Sequence, residues 1–107
     1  MSETLERVRE LVEAGNVRIS DHGYDELAAD GLFAGEVLSG VASAELIEDY
    51  PQYPKGPCVL VLQSDGQNLL IHAVWGIPKG QNEPAVLITA YRPDAKLWEN
   101  GFLRRRP

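Results

Sequence analysis

Cys58-Val59-Leu60-Val61-Leu62-Gln63-Ser64-Asp65-Gly66-Gln67-Asn68-Leu69-Leu70-Ile71-His72-Ala73-Val74-Trp75 decides the fold. The run Cys58 to Gln63 is apolar until its last residue, the mark of a central strand covered on both faces. Asp65-Gly66 tolerates the positive φ that a tight turn needs, so residues 64–68 read as a hairpin turn. Leu69 to Trp75 returns as the partner strand, with Leu69, Ile71, Ala73 and Trp75 on one face and Leu70, His72 and Val74 on the other.

Working outward, Ala85 to Tyr91 is the last strand, and the polar loop 76–84, rich in Gly and Pro, lies on the surface. Upstream, residues 43–50 alternate, with Ala44, Leu46, Glu48 and Tyr50 on one side and Glu45, Ile47 and Asp49 on the other. Pro51, Pro54, Gly56 and Pro57 make a stiff connection into Cys58. Residues 1–42 change period: Leu5, Val8, Leu11 and Val12 predict a helix over about 3–14, capped by Ser2 and stopped at Gly15-Asn16. Val17-Arg18-Ile19 reads as an extended link. Ser20 or Asp21 caps a second helix that stops at Gly31, and a third, about 33–40, buries Phe33, Val37 and Leu38. Asp94 caps a short final helix that holds Leu97 and Trp98.

The expected fold is therefore α+β: N-terminal helices packed on a mostly antiparallel, twisted sheet of about four strands, with a short C-terminal helix. At 107 residues, one domain and one core fit the chain. No apolar run reaches bilayer length and the N-terminus lacks the regions of a secretion signal, so the expected address is cytoplasmic, with no membrane association. The single cysteine, Cys58, cannot close an internal disulfide.

Net charge is −6, divided unevenly: residues 1–50 carry −9 and residues 51–107 carry +3. An anion-binding surface belongs to the second half, while the acidic first half suits a basic partner. No phosphate-cradling glycine loop, His-Glu-x-x-His, Cys-x-x-Cys or Gly-x-Ser-x-Gly occurs, so no metal site and no cofactor is expected.

The groups able to move protons or hold anions are His22, His72, Tyr91, Arg92 and the tail Arg104, Arg105 and Arg106. His22 opens a helix beside Asp21, where ordering the helix entry competes with a catalytic role. His72 sits mid-strand, the usual place of a half-buried core histidine. Tyr91 and Arg92 end a strand, where side chains emerge from a rigid scaffold; Arg92 either takes a phosphate or ties the strand end to a carboxylate such as Asp94. The tail arginines either contact RNA or form a solvated end.

Read in order, Ser20-x-His22, Glu48-Asp49-Tyr50-Pro51, Pro57-Cys58-Val59-Leu60, His72-Ala73-Val74 and Thr89-Ala90-Tyr91-Arg92-Pro93-Asp94, followed by Trp98, Phe102 and Arg104, resemble the bacterial domain-of-unknown-function family 4258. That family resembles the RelE/ParE-like toxins of toxin–antitoxin pairs. The resemblance implies a small antitoxin-like protein partner, and a site gathering His22, His72, Tyr91, Arg92 and Arg104. The sequence departs from many relatives in having Gly23 after His22, and in having Glu26 and Asp30 where those relatives carry arginines.

Two functions follow as expectations. The first is a protein-interaction module of a toxin–antitoxin-type pair, binding a small partner or a second copy of itself. The second is a metal-independent ribonuclease acting on RNA or at the ribosome: a histidine takes the 2′-hydroxyl proton, Arg92 stabilises charge on the phosphate, and Tyr91 or the other histidine assists the leaving oxygen.

Overall fold

The computed structural model describes residues 2–107. The chain runs α1 (Glu3–Glu13), β1 (Val17–Ile19), α2 (Asp21–Ala29), α3 (Ala34–Gly40), a 3₁₀ turn (Val41–Ser43), β2 (Glu45–Tyr50), β3 (Cys58–Ser64), β4 (Leu70–Gly76), β5 (Ala85–Tyr91), β6 (Trp98–Glu99) and β7 (Arg104–Arg105). The helix caps are the expected ones: Ser2 Oγ accepts from Leu5 N at 3.1 Å and Ser20 Oγ from Gly23 N at 2.9 Å.

The main sheet has five strands, in the order β1-β5-β4-β3-β2, and not about four. The added strand is the link Val17–Ile19, which pairs in parallel with Ala85–Leu87. Three residues are too few for alternation to announce a strand; β1 exists because the exposed edge of β5 supplies its partners. The other pairs are antiparallel, so the sheet is mixed.

The sheet has an inner and an outer face. Inward, Val59, Val61, Ile71, Ala73, Trp75, Ala85, Leu87 and Ala90 meet Leu5, Val8, Leu11, Leu27, Val37 and Val41 of the helical layer in one core. At its centre the fully buried Trp75 donates its indole N–H to Gln63 Oε1 at 3.1 Å, and Gln63 Nε2 donates to the Val37 carbonyl at 2.7 Å. The one buried amide thereby joins β4 to α3 with no polar atom left unpaired. Helix α2 lies so close to β5 that a Cβ at Gly23 would stand 2.9 Å from the Leu87 carbonyl oxygen. Glycine after His22 thus has a packing cause.

The alternation expected over residues 44–50 breaks at Ile47, an extra residue between the pairs Leu46↔Val61 and Glu48↔Leu60. Leu69, expected to open a strand on the same face as Ile71, Ala73 and Trp75, is 51% exposed and belongs to the turn.

The expected C-terminal helix is absent. After Asp94 the chain makes turns and then a small hairpin, in which Trp98 pairs with Arg105 and Glu99 with Arg104. Asn100, Gly101 and Phe102 all have positive φ (54°, 65° and 70°), a run no right-handed helix can contain. The hairpin folds over the outer face around His72 and Tyr91.

Candidate functional site

The outer face is built from cross-strand rows. Tyr91, His72 and Leu62 stand side by side on β5, β4 and β3, and the hairpin seats Trp98 against this row. The His72 ring meets Trp98 edge-on, with centroids 4.4 Å apart, and Tyr91 at 5.3 Å. His72 Nε2 lies 2.8 Å from the Phe102 carbonyl oxygen, and Nδ1 lies 3.2 Å from the Tyr91 hydroxyl. A carbonyl only accepts, so Nε2 carries the proton, and Nδ1 accepts from the Tyr91 O–H. The positive φ of Phe102 is what turns that carbonyl toward the ring.

Burial pushes the His72 pKa below its ordinary value and the Tyr91 pKa above its own, so both are neutral near pH 7. His72 has no exposed surface and both its nitrogens are engaged. It acts as the polar pin between sheet and hairpin.

Beside it, Arg105 holds Glu48 through two bonds, Nε to Oε2 at 3.0 Å and an Nη to Oε1 at 3.1 Å, while its guanidinium lies 4.6 Å from the centre of the Trp98 ring. Tyr50 donates its hydroxyl to Glu48 at 2.9 Å. The bonds from Arg105 hold the Glu48 carboxyl below its usual range, and the Glu48 acceptor raises the Tyr50 pKa. Glu48, Tyr50, Tyr91 and Arg105 ring an open groove of about 280 Å³ floored by Leu60, Val74 and Ile88.

Arg92 is elsewhere and occupied. Its Nη lies 3.1 Å from Asp65 Oδ2, and its backbone N–H donates to Asp30 at 2.8 Å. Asp65, nearly buried, also accepts from the N–H groups of Gln67 and Leu69, which with Arg92 hold its carboxyl below the usual range. The carboxylate that ties Arg92 is thus Asp65 of the β3–β4 turn, not Asp94. His22 lies exposed on α2, 3.7 Å from Glu26 across one helical turn, and shares no partner with His72. Glu26 and Asp30 are local partners, Glu26 of His22 and Asp30 of the Arg92 backbone N–H.

The tail arginines are paired rather than free: Arg104 with Glu99 at 2.7 Å, Arg105 with Glu48, and Arg106 with Glu99 at 3.5 Å. Of the expected site residues the structure brings together His72, Tyr91 and Arg105. Arg104 lies on the same hairpin, while His22 and Arg92 stand apart from the cluster. Glu48 and Tyr50, which the sequence reading left out of the site, complete it; their signal was the Glu48-Asp49-Tyr50-Pro51 motif. Cys58 lies on the groove wall with its thiol pKa raised by burial, an unreactive state at neutral pH. No group of three His, Cys, Asp or Glu side chains placed to hold a metal occurs among the described residues, and no described helix is long and apolar enough to cross a membrane.

No curated protein and no solved structure matches the chain. A family model does, over residues 19–92, from the last residue of β1 to Arg92, the residue after β5, a span that contains α2, α3 and the strands β2 to β5. The chain belongs to the family described as domain of unknown function (DUF4258).

Proposed function

We propose that the chain is a toxin-like protein-interaction module of a toxin–antitoxin-type pair, and that its helical layer receives a small, basic, antitoxin-like partner. The observation that carries this reading is the combination of charge and exposed aromatic surface on that layer. Tyr24 is 57% exposed, and Phe33, expected to be buried by the third helix, is instead its N-cap residue and 69% exposed. On the same layer Glu3, Glu10, Glu13, Asp21 and Asp25 have no cationic partner among the described residues. Aromatic anchors inside a field of one sign are what a partner of the opposite sign recognises.

The sheet edges are poor alternatives. β1 is only three residues long, and β2 carries Glu45, Glu48 and Asp49 together with a bulge; these features discourage strand addition. The direct test is the affinity of the purified chain for a small basic protein, the first candidate being any such protein encoded beside its gene. The reading expects a defined complex that weakens about tenfold or more in Asp21→Lys/Asp25→Lys and in Phe33→Ala, and weakens as salt rises. Full affinity in all three conditions would sink it, and self-association through the same residues would replace the partner with a second copy.

One observation favours the ribonuclease as a second reading: Tyr91 and Arg105 line one groove beside Glu48. Defined RNA incubated in EDTA, with and without ribosomes, tests it. Cleavage leaving cyclic-phosphate ends, lost in folded Tyr91→Phe and Arg105→Ala but kept in His22→Ala and Arg92→Ala, would assign the reaction to this groove. Intact RNA in every condition leaves the interaction module standing.

A further inference from the structure

The hairpin covers the outer sheet face around His72 and Tyr91 and leaves the rest of that face open. Across the open part a single row of paired residues runs through all five strands: Arg18, Val86, Gly76, Cys58 and Tyr50. Its middle is low, because Gly76 has no side chain; a Cβ there would stand 3.0 Å from Ile88 Cδ1 and 3.1 Å from the Pro57 carbonyl oxygen. Its ends are high. The result is a trough of about 370 Å³ with Val86, Ile88, Ile77 and Cys58 as its apolar floor, and Arg18, Lys55 and Tyr53 on its rim.

The charged residues that line this trough are all cations; Lys79 and Lys96, also without a carboxylate partner among the described residues, lie outside its lining. Arg9, Arg92, Arg104, Arg105 and Arg106 each pair with a carboxylate. Arg18 and Lys55 have no side-chain hydrogen bond or ion pair among the described residues, and the trough lining contains no acid. In a chain of net charge −6, two unneutralised cations over an apolar floor form a local positive site on the sheet face opposite the acidic helical layer.

The volume is that of a small-molecule pocket, not of a docked domain. We infer that this trough binds a small organic anion, with an apolar, flat body on the floor between Val86 and Cys58 and a carboxylate or phosphate head held by Arg18 and Lys55. The floor supplies the contact area, and the two cations supply orientation. Because the trough lies on the sheet face opposite the helical layer, the inference stands whether or not a protein partner binds there.

The test is an amide NMR titration of the full chain with four probes: phenyl phosphate and benzoate as complete ligands, inorganic phosphate as the head alone and benzyl alcohol as the body alone. The expected result is a saturable shift of the Ile77, Val86 and Ile88 amides with at least one aryl anion, about tenfold weaker with either partial probe. The tighter of the two aryl anions identifies the head group. Arg18→Gln and Lys55→Gln, both at exposed positions, should each weaken that probe severalfold and together about tenfold or more, with the remaining amide spectrum unchanged. Four results overturn the inference: no saturation with either aryl anion up to about 10 mM, an equal response to inorganic phosphate, unchanged affinity in the double variant, or shifts at the same amides that follow protein concentration without any probe, which would give the trough to a second copy.

Discussion

The two faces of one sheet are held in different ways. The inner face is closed by apolar volume: Val59, Val61, Ile71, Ala73 and Trp75 are all fully buried against three helices. The outer face is closed around His72 and Tyr91 by a hairpin of two-residue strands, whose grip is a histidine, an edge-on tryptophan and one arginine–glutamate pair. Apolar burial is strong and indifferent to pH and salt, whereas a polar clasp is weaker and responds to both. The inner face therefore carries the fold. The outer face is where binding can evolve without loss of the core.

The sharpest way to break this comparison is on the inner face. Trp75→Ala removes a fully buried indole and leaves Gln63 without its donor, and should cost about 3–5 kcal/mol of unfolding free energy in urea. A loss below about 1 kcal/mol would show that the inner face is not the stronger one. Next in size, Gly23→Ala pushes a methyl against the Leu87 carbonyl and should cost about 1–3 kcal/mol by the same measurement. A neutral result would mean that α2 can slide on β5.

The outer face sharpens the comparison through pH. Unfolded His72 takes its proton near 6.5, and the folded ring resists until a lower pH. The unfolded chain thus binds more protons in that window, and acid favours unfolding. Stability should hold above pH 6.5 and fall as pH drops toward the folded value, with a further loss below 4.5 as Glu48 protonates. In His72→Phe the first decline should vanish and the second remain, read from thermal midpoints across pH; a decline near pH 6 that survives in this variant would remove His72 as its cause. The smallest effect belongs to Arg105→Ala. Its pair with Glu48 is exposed, so the loss should stay under about 1 kcal/mol and shrink with salt, while proteolysis within residues 94–107 should quicken. Unchanged proteolysis would show that Trp98 and His72 alone fasten the hairpin.

Much of the fold was legible because it is written locally. The unbroken apolar run Cys58–Leu62, the turn within residues 64–68, whose positive φ falls at Asn68 and not at Asp65 or Gly66, and the caps Ser2 and Ser20 each depend on near neighbours in the chain. The candidate site was half legible. His72 and Tyr91 were visible as strand residues, and Arg105 as one of a charged run. That His72 faces Tyr91, that Glu48 takes Arg105 across 57 positions and that Arg92 is spent on Asp65 depend on strand pairing and on the hairpin's return.

By itself the sequence determined the elements that periodicity and turn chemistry specify: three amphipathic helices, an apolar central hairpin, a last strand and the division of charge between the halves. Only the tertiary structure decided the parts that need a distant partner. Val17–Ile19 becomes a strand because β5 has a free edge, and residues 98–105 become a hairpin because His72 on the outer sheet face gives Trp98 a ring to pack against and the Phe102 carbonyl a donor. The physical reason is range: a cap or a turn is settled within a few residues, whereas an edge strand, a buried polar pin and an open trough are settled by which surfaces remain uncovered once the core has formed.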